Sequence, residues 1–580
     1  MKKSNIFVIA AWAATIFGLM EGCVLIICRA YPAILAPYKM SNDALWVAPL
    51  VDLFTFALVA VGLLLLVTPA QRRLGSSLVP IVIYGCFFFL GIFAVIWVSR
   101  TIHLVSAAVL SLGLTVVFCR RLSPIQSQVT AYLRQRLVWI PVLLISAMLG
   151  VSEYERVREF WLYRSLPQAA AGTVNVLVIV MDTVRYDSFT HPAGQSLTPR
   201  LDQITAKGVS FENAWSTTSW SLPSQASILT GRYPYEHGAD WPRLQLDEKY
   251  PTLGEMFSKR GYVTGAFSGN ASWITPEYLG RGFLRFDVYL LEDLLRRTAY
   301  GRPIGRLFWE VGFHSAGRGK KAPQVNAEFL KFLANYPDRP FFAYLCYMDV
   351  NQAFHHRQLN RAFWEPIPSV HEVINAYNQA LKTLDQQIGD LLTELARRNI
   401  LEKTLLIVTS DHGESFGSQD IEDHDPSGHG TSLYPEQTRV PLFVVYSDKL
   451  PAARKVKVTV SLRHIAKTIT QILNITDSPF AGQALPVASE SMEALENCEP
   501  HVLATLNYDN QDLQSVICHH WQYINNRQHP ENGEELYDLA ADPLAKKNLA
   551  LNYPVIRPMR DRLQELSQPS VMLSTRTHRP

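Results

Sequence analysis

The chain has 580 residues, enough for two or more domains, and its charges are divided unequally along it. Residues 1–150 hold eleven Lys or Arg and three acidic residues, too few charges for a soluble domain, whereas the remaining 430 hold 43 basic and 48 acidic residues. A net charge of +3 without a long basic run excludes the electrostatic pattern of a nucleic-acid-binding protein, so no nucleic-acid partner is expected.

Five apolar runs near the N-terminus reach or approach the length of about 20 residues that a bilayer core requires. They cover residues 5–28, 45–67, 78–98, 102–118 and 137–152. The first run is too long for a cleaved signal peptide, and no small-residue cleavage site precedes the second run. We therefore predict an all-α membrane domain of about five transmembrane helices over residues 1–152.

The basic residues of the short loops predict the orientation of these helices, because such residues tend to stay on the cytoplasmic side. One side of the predicted bundle carries eight of them, at positions 2, 3, 72, 73, 120, 121, 134 and 136. The other side carries three, at positions 29, 39 and 100. We predict a multi-pass protein of the cytoplasmic (inner) membrane with its N-terminus inside, and five spans place the rest of the chain outside the cytoplasm.

Two carboxylates lie inside the predicted spans. Glu21 lies seven residues before the outer end of the first span, and Asp52 lies seven residues after the outer start of the second. We expect both at a similar depth near the outer face. An intramembrane carboxylate is costly and is by default a functional candidate, here for contact with a lipid headgroup. The structural alternative is pairing with Arg29 or snorkelling to the interface.

Strand-like and helix-like runs alternate after the membrane segments. The runs NVLVIVM (175–181), TLLIVTS (404–410) and VPLFVVY (440–446) are continuous apolar segments typical of buried strands. Residues 371–398 place apolar side chains at helical spacing. This alternation predicts an α/β domain with a mainly parallel sheet. We assign 153–173 to a linker, 174–495 to this domain, and 496–580 to a C-terminal subdomain and tail.

Acidic and imidazole side chains follow two of the predicted strands. Asp182 follows the strand at 175–181, and Asp411 with His412 follows the strand at 404–410. Ligands of such sheets bind outside the carboxyl ends of the strands, so we expect these groups to converge there. They form a suitable partial ligand set for one divalent metal ion. The alternative is that each Asp caps a helix or forms a turn.

The segment SWSLPSQASILTG (219–231) predicts a helix with a hydroxyl group at its start. Pro223 fits the first turn and Gly231 fits the end, which puts Ser221 just before the helix N-terminus. Backbone N–H groups stabilise an oxyanion at that position, so Ser221 is a candidate nucleophile beside a metal ion. The alternative is that Ser221 or Ser224 only caps the helix.

A series of longer motifs occurs in a fixed order along residues 174–566. They are TPRLDQITAKGVSFENAW, SLPSQASILTGRYPYEHG, TLGEMFSKRGYVTGAF, YNQALKTLDQQIG with TLLIVTSDHGES, RVPLFV and ELYDLAADPLAKKNLA. This series resembles the sulfatase family of the alkaline phosphatase superfamily and implies its α/β fold. With five predicted spans in front, the chain is also similar to bacterial membrane enzymes that transfer phosphoethanolamine to lipid A or glycerophosphate to lipoteichoic acid.

The resemblance implies roles for individual residues. Asp182, Asp411 and His412 match the metal ligands of the family. Ser221 occupies the place of the cysteine or serine that sulfatases convert to formylglycine. His429 resembles a histidine of the metal and substrate site in the phosphoethanolamine transferases, and its structural alternative is an ordinary loop histidine. We assign Ser221 and His429 to catalysis.

Besides Thr183, which stands where a second acidic residue is usual after Asp182, three positions depart from the family pattern. Gln225 stands where sulfatases carry the arginine that follows the nucleophile, which argues against conversion of Ser221 to formylglycine. Asn270 stands near a position where many sulfatases carry lysine and histidine, and Asn351 stands where a histidine is expected. We expect these three residues, together with Arg185, to bind the substrate.

Together these patterns predict a membrane-anchored, metal-dependent hydrolase that acts on sulfate or phosphate esters outside the cytoplasm. The expected cofactor is one divalent ion, Zn, Mn or Ca, and the expected partners are the lipid bilayer and the ester substrate. One alternative is a phosphotransferase that modifies a membrane lipid or a glycan, favoured by the five spans, the unmodified hydroxyl and the two intramembrane carboxylates. A second alternative is an inactive sulfatase-like binding protein, favoured by the departures from the pattern.

Overall fold

The computed structural model describes residues 3–28, 41–74, 78–98, 101–189, 196–310, 319–358, 368–417, 428–447, 449–487, 501–508, 511–528, 533–550 and 554–567. The chain divides into two compact units. The first comprises Met1–Leu162 with Tyr289–Ala316, and the second comprises Tyr163–Val288 with Gly317–Pro580. We call them the helical unit and the sheet unit.

The N-terminal part of the helical unit consists of long apolar helices. Their bounds are α1 (Ser4–Cys28), α2 (Ala44–Leu74), α3 (Leu78–Trp97), α4 (Leu104–Leu122), α5 (Gln126–Gln135) and α6 (Trp139–Ser165). Among the described residues, four stretches are long and apolar enough to cross a membrane: Ser4–Cys28, Ala44–Leu66, Val79–Trp97 and Leu104–Gln135. The first four predicted spans are therefore confirmed as apolar helices, which is consistent with a membrane protein.

The fifth predicted span, residues 137–152, forms the first half of α6 and is not among these four stretches. Its apolar run is short, because charged residues begin at Glu153 and continue to the end of the helix. The amide of Asn42, just before α2, donates a hydrogen bond of 2.9 Å to Glu155. This bond places the middle of α6 beside the start of α2.

Helices α1 and α2 pack closely because α1 presents two glycines to α2. A Cβ atom on Gly18 would lie 2.4 Å from the Cα of Pro49, and one on Gly22 would lie 2.5 Å from the carbonyl oxygen of Ala44. Small residues allow helix backbones to approach each other in membranes in this way. Both intramembrane carboxylates, Glu21 and Asp52, are fully buried.

The sheet unit begins at Tyr163, near the end of α6. Two of the helices that follow in the chain belong to the helical unit instead. The elements that follow α6 are β1 (Asn175–Met181), α7 (Tyr186–Phe189), α8 (Pro199–Thr205), β2 (Val209–Trp215), α9 (Ser221–Thr230), α10 (Pro234–His237), α11 (Leu253–Ser258), β3 (Val263–Ser268), α12 (Pro276–Leu279), β4 (Arg285–Asp287), α13 (Leu291–Arg297), α14 (Gly301–Glu310), α15 (Ala322–Asn335), β5 (Phe341–Tyr347), α16 (Asp349–Gln358), α17 (Val370–Arg397), β6 (Thr404–Ser410), α18 (Pro435–Thr438), β7 (Arg439–Val445), β8 (Arg454–Val456), β9 (Val460–Ser461), α19 (His464–Ile472), β10 (His501–Tyr508), β11 (Gln511–Cys518), β12 (Trp521–Asn526), β13 (Glu534–Asp538) and α20 (Ile556–Ser567). Helices α13 and α14 group with the helical unit.

The central sheet has the strand order β4-β3-β5-β1-β6-β7-β2-β8, and β9 pairs with β2. Strands β4, β3, β5, β1 and β6 run parallel, whereas β7 is antiparallel to both β6 and β2. The prediction of an α/β domain with a mainly parallel sheet is confirmed, although the sheet is mixed. The apolar stripe of α17 packs into the core as its spacing predicts. A second sheet of four antiparallel strands, β10 to β13, packs against α20.

The buried carboxylate of Glu21 has a partner that the sequence did not suggest. Its Oε1 accepts a hydrogen bond of 2.7 Å from the backbone N–H of Ala299, which lies between α13 and α14. The predicted alternative partner, Arg29, lies outside the described residues. Glu21 therefore satisfies a buried backbone donor of a segment 278 residues further along the chain.

We expect Glu21→Leu to lower the free energy of unfolding of the helical unit by about 1–3 kcal/mol, because it leaves the N–H of Ala299 buried without an acceptor. Glu21→Gln keeps an acceptor oxygen and should retain most of the stability. Thermal unfolding of the detergent-purified protein measures both variants. Equal stability of Glu21→Leu and the wild type would contradict this role.

Candidate active site

The active-site candidates meet at the carboxyl ends of two neighbouring strands. Strands β1 and β6 are parallel, and the last residues of the two strands, Met181 and Ser410, stand opposite each other. Asp182 and Asp411 follow directly, so their side chains lie side by side. One ligand atom from each of Asp182, Asp411 and His412 lies within 4.8 Å of the others. The sequence argument from strand ends therefore placed these three groups together correctly.

The cluster concentrates negative charge at a buried position. Asp182, Asp411 and His412 are fully buried. Burial and the negative charge of Asp411 raise the pKa of Asp182 above its usual value, against the opposing effect of nearby imidazoles. Two adjacent buried carboxylates repel each other, and a divalent cation between them relieves this repulsion. The donor set of two carboxylates and one imidazole fits such an ion.

Two amide side chains hold the carboxylate of Asp182 from opposite sides. The Nδ2 of Asn270 donates to Oδ2 over 2.9 Å, and the Nδ2 of Asn351 donates to Oδ1 over 2.8 Å. The Oδ1 atom of Asn351 is buried and has no hydrogen-bond partner within the part of the chain that the structure describes. A buried amide oxygen beside the cluster is an available oxygen donor for a cation, and this supports the fit of the site to a metal ion.

Gln225 orients the second carboxylate. Its Nε2 donates to Asp411 Oδ2 over 2.7 Å, and its Oε1 accepts from the hydroxyl of Tyr344 over 3.0 Å. The hydroxyl of Ser224 donates to the carbonyl oxygen of Asp411 over 2.6 Å. Gln225 is thus hydrogen-bonded to Asp411, a metal-ligand candidate, and to Tyr344 of strand β5. Its side chain therefore supports a candidate ligand of the metal ion.

The backbone next to Asp182 is strained. Thr183 has a φ of 64°, in the left-handed region that a β-branched residue rarely adopts. Its N–H lies 3.4 Å from Asp411 Oδ1, and its carbonyl oxygen accepts from the hydroxyl of Tyr377 over 3.0 Å. Such strain costs roughly 1–3 kcal/mol and is concentrated at functional sites. At Thr183 the left-handed conformation directs the backbone N–H toward the carboxylate of Asp411.

Ser221 is the first residue of α9, and its hydroxyl reaches the cluster. Its Oγ lies 3.2 Å from Asp182 Oδ2 and 3.1 Å from His412 Nε2. The Nδ2 of Asn270 lies 3.4 Å from the same oxygen. The helix ends at Gly231 in the left-handed conformation, as predicted. A serine that only caps a helix does not need to contact metal-ligand candidates. Ser221 contacts two of them, which favours a role beyond helix capping.

His429 stands beside His412, with ring centroids 4.6 Å apart. Its Nδ1 lies 3.0 Å and 3.2 Å from the two carboxylate oxygens of Glu414. Burial by itself lowers the pKa of His429, but the charge and hydrogen bond of Glu414 raise it to about 9. Sequence reasoning did not assign a role to Glu414, although it follows Asp411 and His412 in the same motif.

Arg185, which the sequence predicted to bind the substrate, has its described side-chain hydrogen bonds with Asp187 and Glu414. Its guanidinium group forms two hydrogen bonds of 2.8 Å and 2.6 Å to the carboxylate of Asp187. A third hydrogen bond, of 3.1 Å, goes to the carbonyl oxygen of Glu414. Arg185 therefore braces the loop that carries Glu414.

The family is decided by comparison of the whole chain with known families. The family model described as Sulfatase matches residues 174–475. The chain belongs to the sulfatase family. The predicted resemblance is thus confirmed, and membership supports an ester hydrolase of the alkaline phosphatase superfamily. Members of this family are metal-dependent, in agreement with the ligand cluster of Asp182, Asp411 and His412.

Several relatives with assigned activities are similar to this sulfatase-family chain. An N-acetylgalactosamine-6-O-sulfatase of Bacteroides thetaiotaomicron is 23% identical over 496 residues, which cover 68% of this chain and 93% of the relative. A choline-sulfatase of Rhizobium meliloti is 23% identical over 450 residues, covering 66% and 83%.

Solved structures share the fold. A putative sulfatase from Bacteroides thetaiotaomicron has a TM-score of 0.52 at 18% identity, covering 68% of this chain and 91% of that one. A phosphonate monoester hydrolase of Agrobacterium radiobacter has a TM-score of 0.51 at 17% identity, covering 68% and 94%.

We expect Gln225→Ala to weaken divalent metal binding about 10- to 100-fold, because it removes the hydrogen bond that orients Asp411. Asp411→Ala should abolish binding altogether. Metal titration of the purified full-length protein, followed by elemental analysis, measures both effects. Gln379→Ala on the exposed face of α17 is the matched control. Wild-type affinity in Gln225→Ala would refute the orienting role.

Proposed function

We propose that the protein is a membrane-anchored, metal-dependent hydrolase of phosphate or sulfate esters that uses the unmodified hydroxyl of Ser221 as nucleophile. The observation that carries this proposal is the position of Ser221 Oγ, 3.2 Å from Asp182 and 3.1 Å from His412 at the start of a helix. Backbone N–H groups at a helix N-terminus favour the negative charge that the reacting group carries.

In the proposed reaction, the oxygen of Ser221 attacks phosphorus or sulfur, and the bond from that atom to the leaving oxygen breaks. Asp182, Asp411 and His412 would hold the divalent ion, which would supply a positive charge that favours the deprotonated form of the attacking hydroxyl and stabilises the charge of the reacting group. His429, whose Nδ1 lies 3.0 Å from a carboxylate oxygen of Glu414, gives a proton to the leaving oxygen. Asn270 donates a hydrogen bond toward the reacting oxygen.

A second nucleophile then completes the turnover. Water attacks the serine ester, the bond to Ser221 Oγ breaks, and the hydroxyl regains its proton. An acceptor alcohol in place of water would turn the same reaction into a transfer. Transfer to a membrane lipid or glycan is the second candidate function, and the apolar helices and Gln225 favour it. Gln225 occupies the arginine position of the formylglycine motif and already holds Asp411.

The catalytically inactive alternative has less support. An inactive binding protein has no requirement to keep a nucleophile in contact with metal-ligand candidates. In this protein the hydroxyl of Ser221 lies within hydrogen-bond distance of both Asp182 and His412, and Glu414 supports His429. This arrangement supports an enzyme, with the departures at Gln225, Asn270 and Asn351 accommodated as hydrogen-bond partners of the carboxylates.

For the membrane topology we propose five crossings with the N-terminus in the cytoplasm and the sheet unit outside. The contact of Asn42 with Glu155 supports the fifth crossing. It brings α6 to the end of the bundle where α2 begins, whereas Trp12, near the start of α1, donates to the carbonyl of Leu133 just before α6. Helix α6 thus leads from one end of the bundle toward the other.

We expect Ser221→Ala to abolish cleavage of both aryl phosphate and aryl sulfate by the metal-loaded protein, because it deletes only the nucleophile. Metal content and thermal stability should remain those of the wild type. Ser258→Ala at the end of α11 is the control. Turnover of the Ser221→Ala variant at the wild-type rate would exclude the covalent mechanism.

Mass spectrometry of the Ser221 peptide from the same wild-type protein separates the candidate chemistries. Phosphoserine trapped after brief exposure to substrate supports attack on phosphorus. Formylglycine at residue 221 would instead indicate a sulfatase of the converted type, and would overturn the proposal of an unmodified hydroxyl.

We expect impermeant reagents to label the sheet unit in intact cells, after removal of any outer membrane. A single cysteine introduced at Lys455, an exposed residue, provides the reporter, and a cysteine at Lys3 provides the cytoplasmic control. Labelling at position 3 without labelling at position 455 would reverse the proposed topology.

A further inference from the structure

A cavity of about 420 Å³ lies in the sheet unit. One wall comes from residues 234–243, which include α10, and the other comes from β10, β11 and the residue after β12. Its volume is within the range of roughly 300–1,000 Å³ that is typical of small-molecule sites. The described lining residues include neither Ser221 nor a metal-ligand candidate, so the proposed ester chemistry does not account for this cavity.

An aromatic side chain of the cavity wall has a fixed position and an exposed surface. Trp241 lines the cavity and is 41% exposed. Its carbonyl oxygen accepts a hydrogen bond of 2.7 Å from the Nδ2 of Asn507, and its ring packs edge-on against Tyr508 with the centroids 6.1 Å apart. These contacts from β10 hold Trp241 in place. The exposed part of its indole ring is a flat apolar surface on which a ligand can stack.

The polar residues of the wall offer both donors and acceptors of hydrogen bonds. They include the amides of Asn507 and Gln514 and the hydroxyl of Thr505. The Oγ1 of Thr505 is buried and has no hydrogen-bond partner among the described residues. Leaving such a group unpaired is unfavourable, so a ligand that pairs with it is favoured. Each hydroxyl group of a ligand is both a donor and an acceptor, so a compound with several hydroxyl groups matches this wall.

The charged groups of the wall balance one another. Two arginines and two aspartates line the cavity, namely Arg243, Arg527, Asp240 and Asp512. The Nη1 of Arg527 lies 3.7 Å from a carboxylate oxygen of Asp512, and Arg243 lies 3.7 Å from Asp247. The carboxylate of Asp240 accepts a hydrogen bond of 2.9 Å from the backbone N–H of Trp241. The four lining residues carry no net charge, which favours a neutral ligand over a phosphate or an ammonium group.

Aromatic rings connect the cavity to the helix of the candidate nucleophile. Tyr508 contacts Trp241 of the cavity wall, and its ring centroid also lies 4.8 Å from that of Trp220. Trp220 directly precedes Ser221 in the chain. Tyr508 therefore packs between the cavity wall and the start of α9.

We propose that this cavity binds a neutral sugar unit. One face of a sugar ring presents C–H groups that pack on an aromatic ring, and its hydroxyl groups form hydrogen bonds with amide, hydroxyl and carboxylate side chains. A lipid chain would require an apolar wall, and a nucleotide or an amine would require an excess of the opposite charge. Binding of the sugar does not depend on catalysis by Ser221. Only its consequence, that the ester substrate is attached to a glycan, rests on the proposed function.

The test measures binding of the full-length protein to an array of neutral oligosaccharides of glucose, galactose, mannose and N-acetylglucosamine, in a detergent without a sugar headgroup. The wild-type protein should bind at least one of them. Trp241→Ala should weaken that binding about 30-fold, because it removes the stacking surface. Trp241→Phe keeps an aromatic ring and should retain most of the affinity. The control, Trp161→Ala, removes an exposed tryptophan of the helical unit and should leave the affinity unchanged.

Two further measurements use the wild-type protein, so they do not depend on the folding of a variant. Raising the ionic strength should leave the affinity unchanged. Amine-bearing and phosphate-bearing forms of the bound oligosaccharide should not bind more tightly than the neutral form. Binding of no oligosaccharide, wild-type affinity in Trp241→Ala, a strong dependence on salt, or tighter binding of a charged form would each overturn the proposal. The neutral oligosaccharides carry no ester, so failure of the proposed catalysis would not change their binding.

Discussion

The repulsion between two buried carboxylates is the constraint on which the active site depends. Asp182 and Asp411 follow adjacent parallel strands, so the sheet register brings them together at a fully buried position. Hydrogen bonds from the surrounding polar groups reduce this repulsion. Asn270 and Asn351 donate to the first carboxylate and Gln225 to the second, and a cation between them would supply the remaining positive charge. The nucleophile candidate is positioned by the same charges.

Three of the residues that depart from the sulfatase pattern donate hydrogen bonds to the buried carboxylates. Asn270 and Asn351 keep the hydrogen bonds that hold a carboxylate while adding no charge. Gln225 bridges Asp411 and Tyr344 inside the fold. The three amide side chains orient the two carboxylates, and Asn270 also lies 3.4 Å from the hydroxyl of Ser221. A site of this kind suits direct attack by an unmodified hydroxyl.

A buried carboxylate also makes an important hydrogen bond in the helical unit. Glu21 is buried in a helix without a basic partner among the described residues, and it accepts a hydrogen bond from a turn that belongs to a distant part of the chain. A carboxylate is costly in this position, and the hydrogen bond that it accepts from the N–H of Ala299 offsets part of the cost. The intramembrane carboxylate is thereby linked to the insertion of residues 289–310 between the apolar helices.

The sequence by itself determined the apolar helices, the buried strands β1 and β6, and the placement of Asp182, Asp411 and His412, because these follow from local periodicity and the rule that parallel strands end at one edge. Only the tertiary structure decided that Glu414 holds His429, that Gln225 holds Asp411, and that the segment after β4 packs with the membrane helices. These contacts join residues far apart in the chain. Local pattern specifies which face of an element is apolar, whereas the partner of that face depends on the packing of the whole fold.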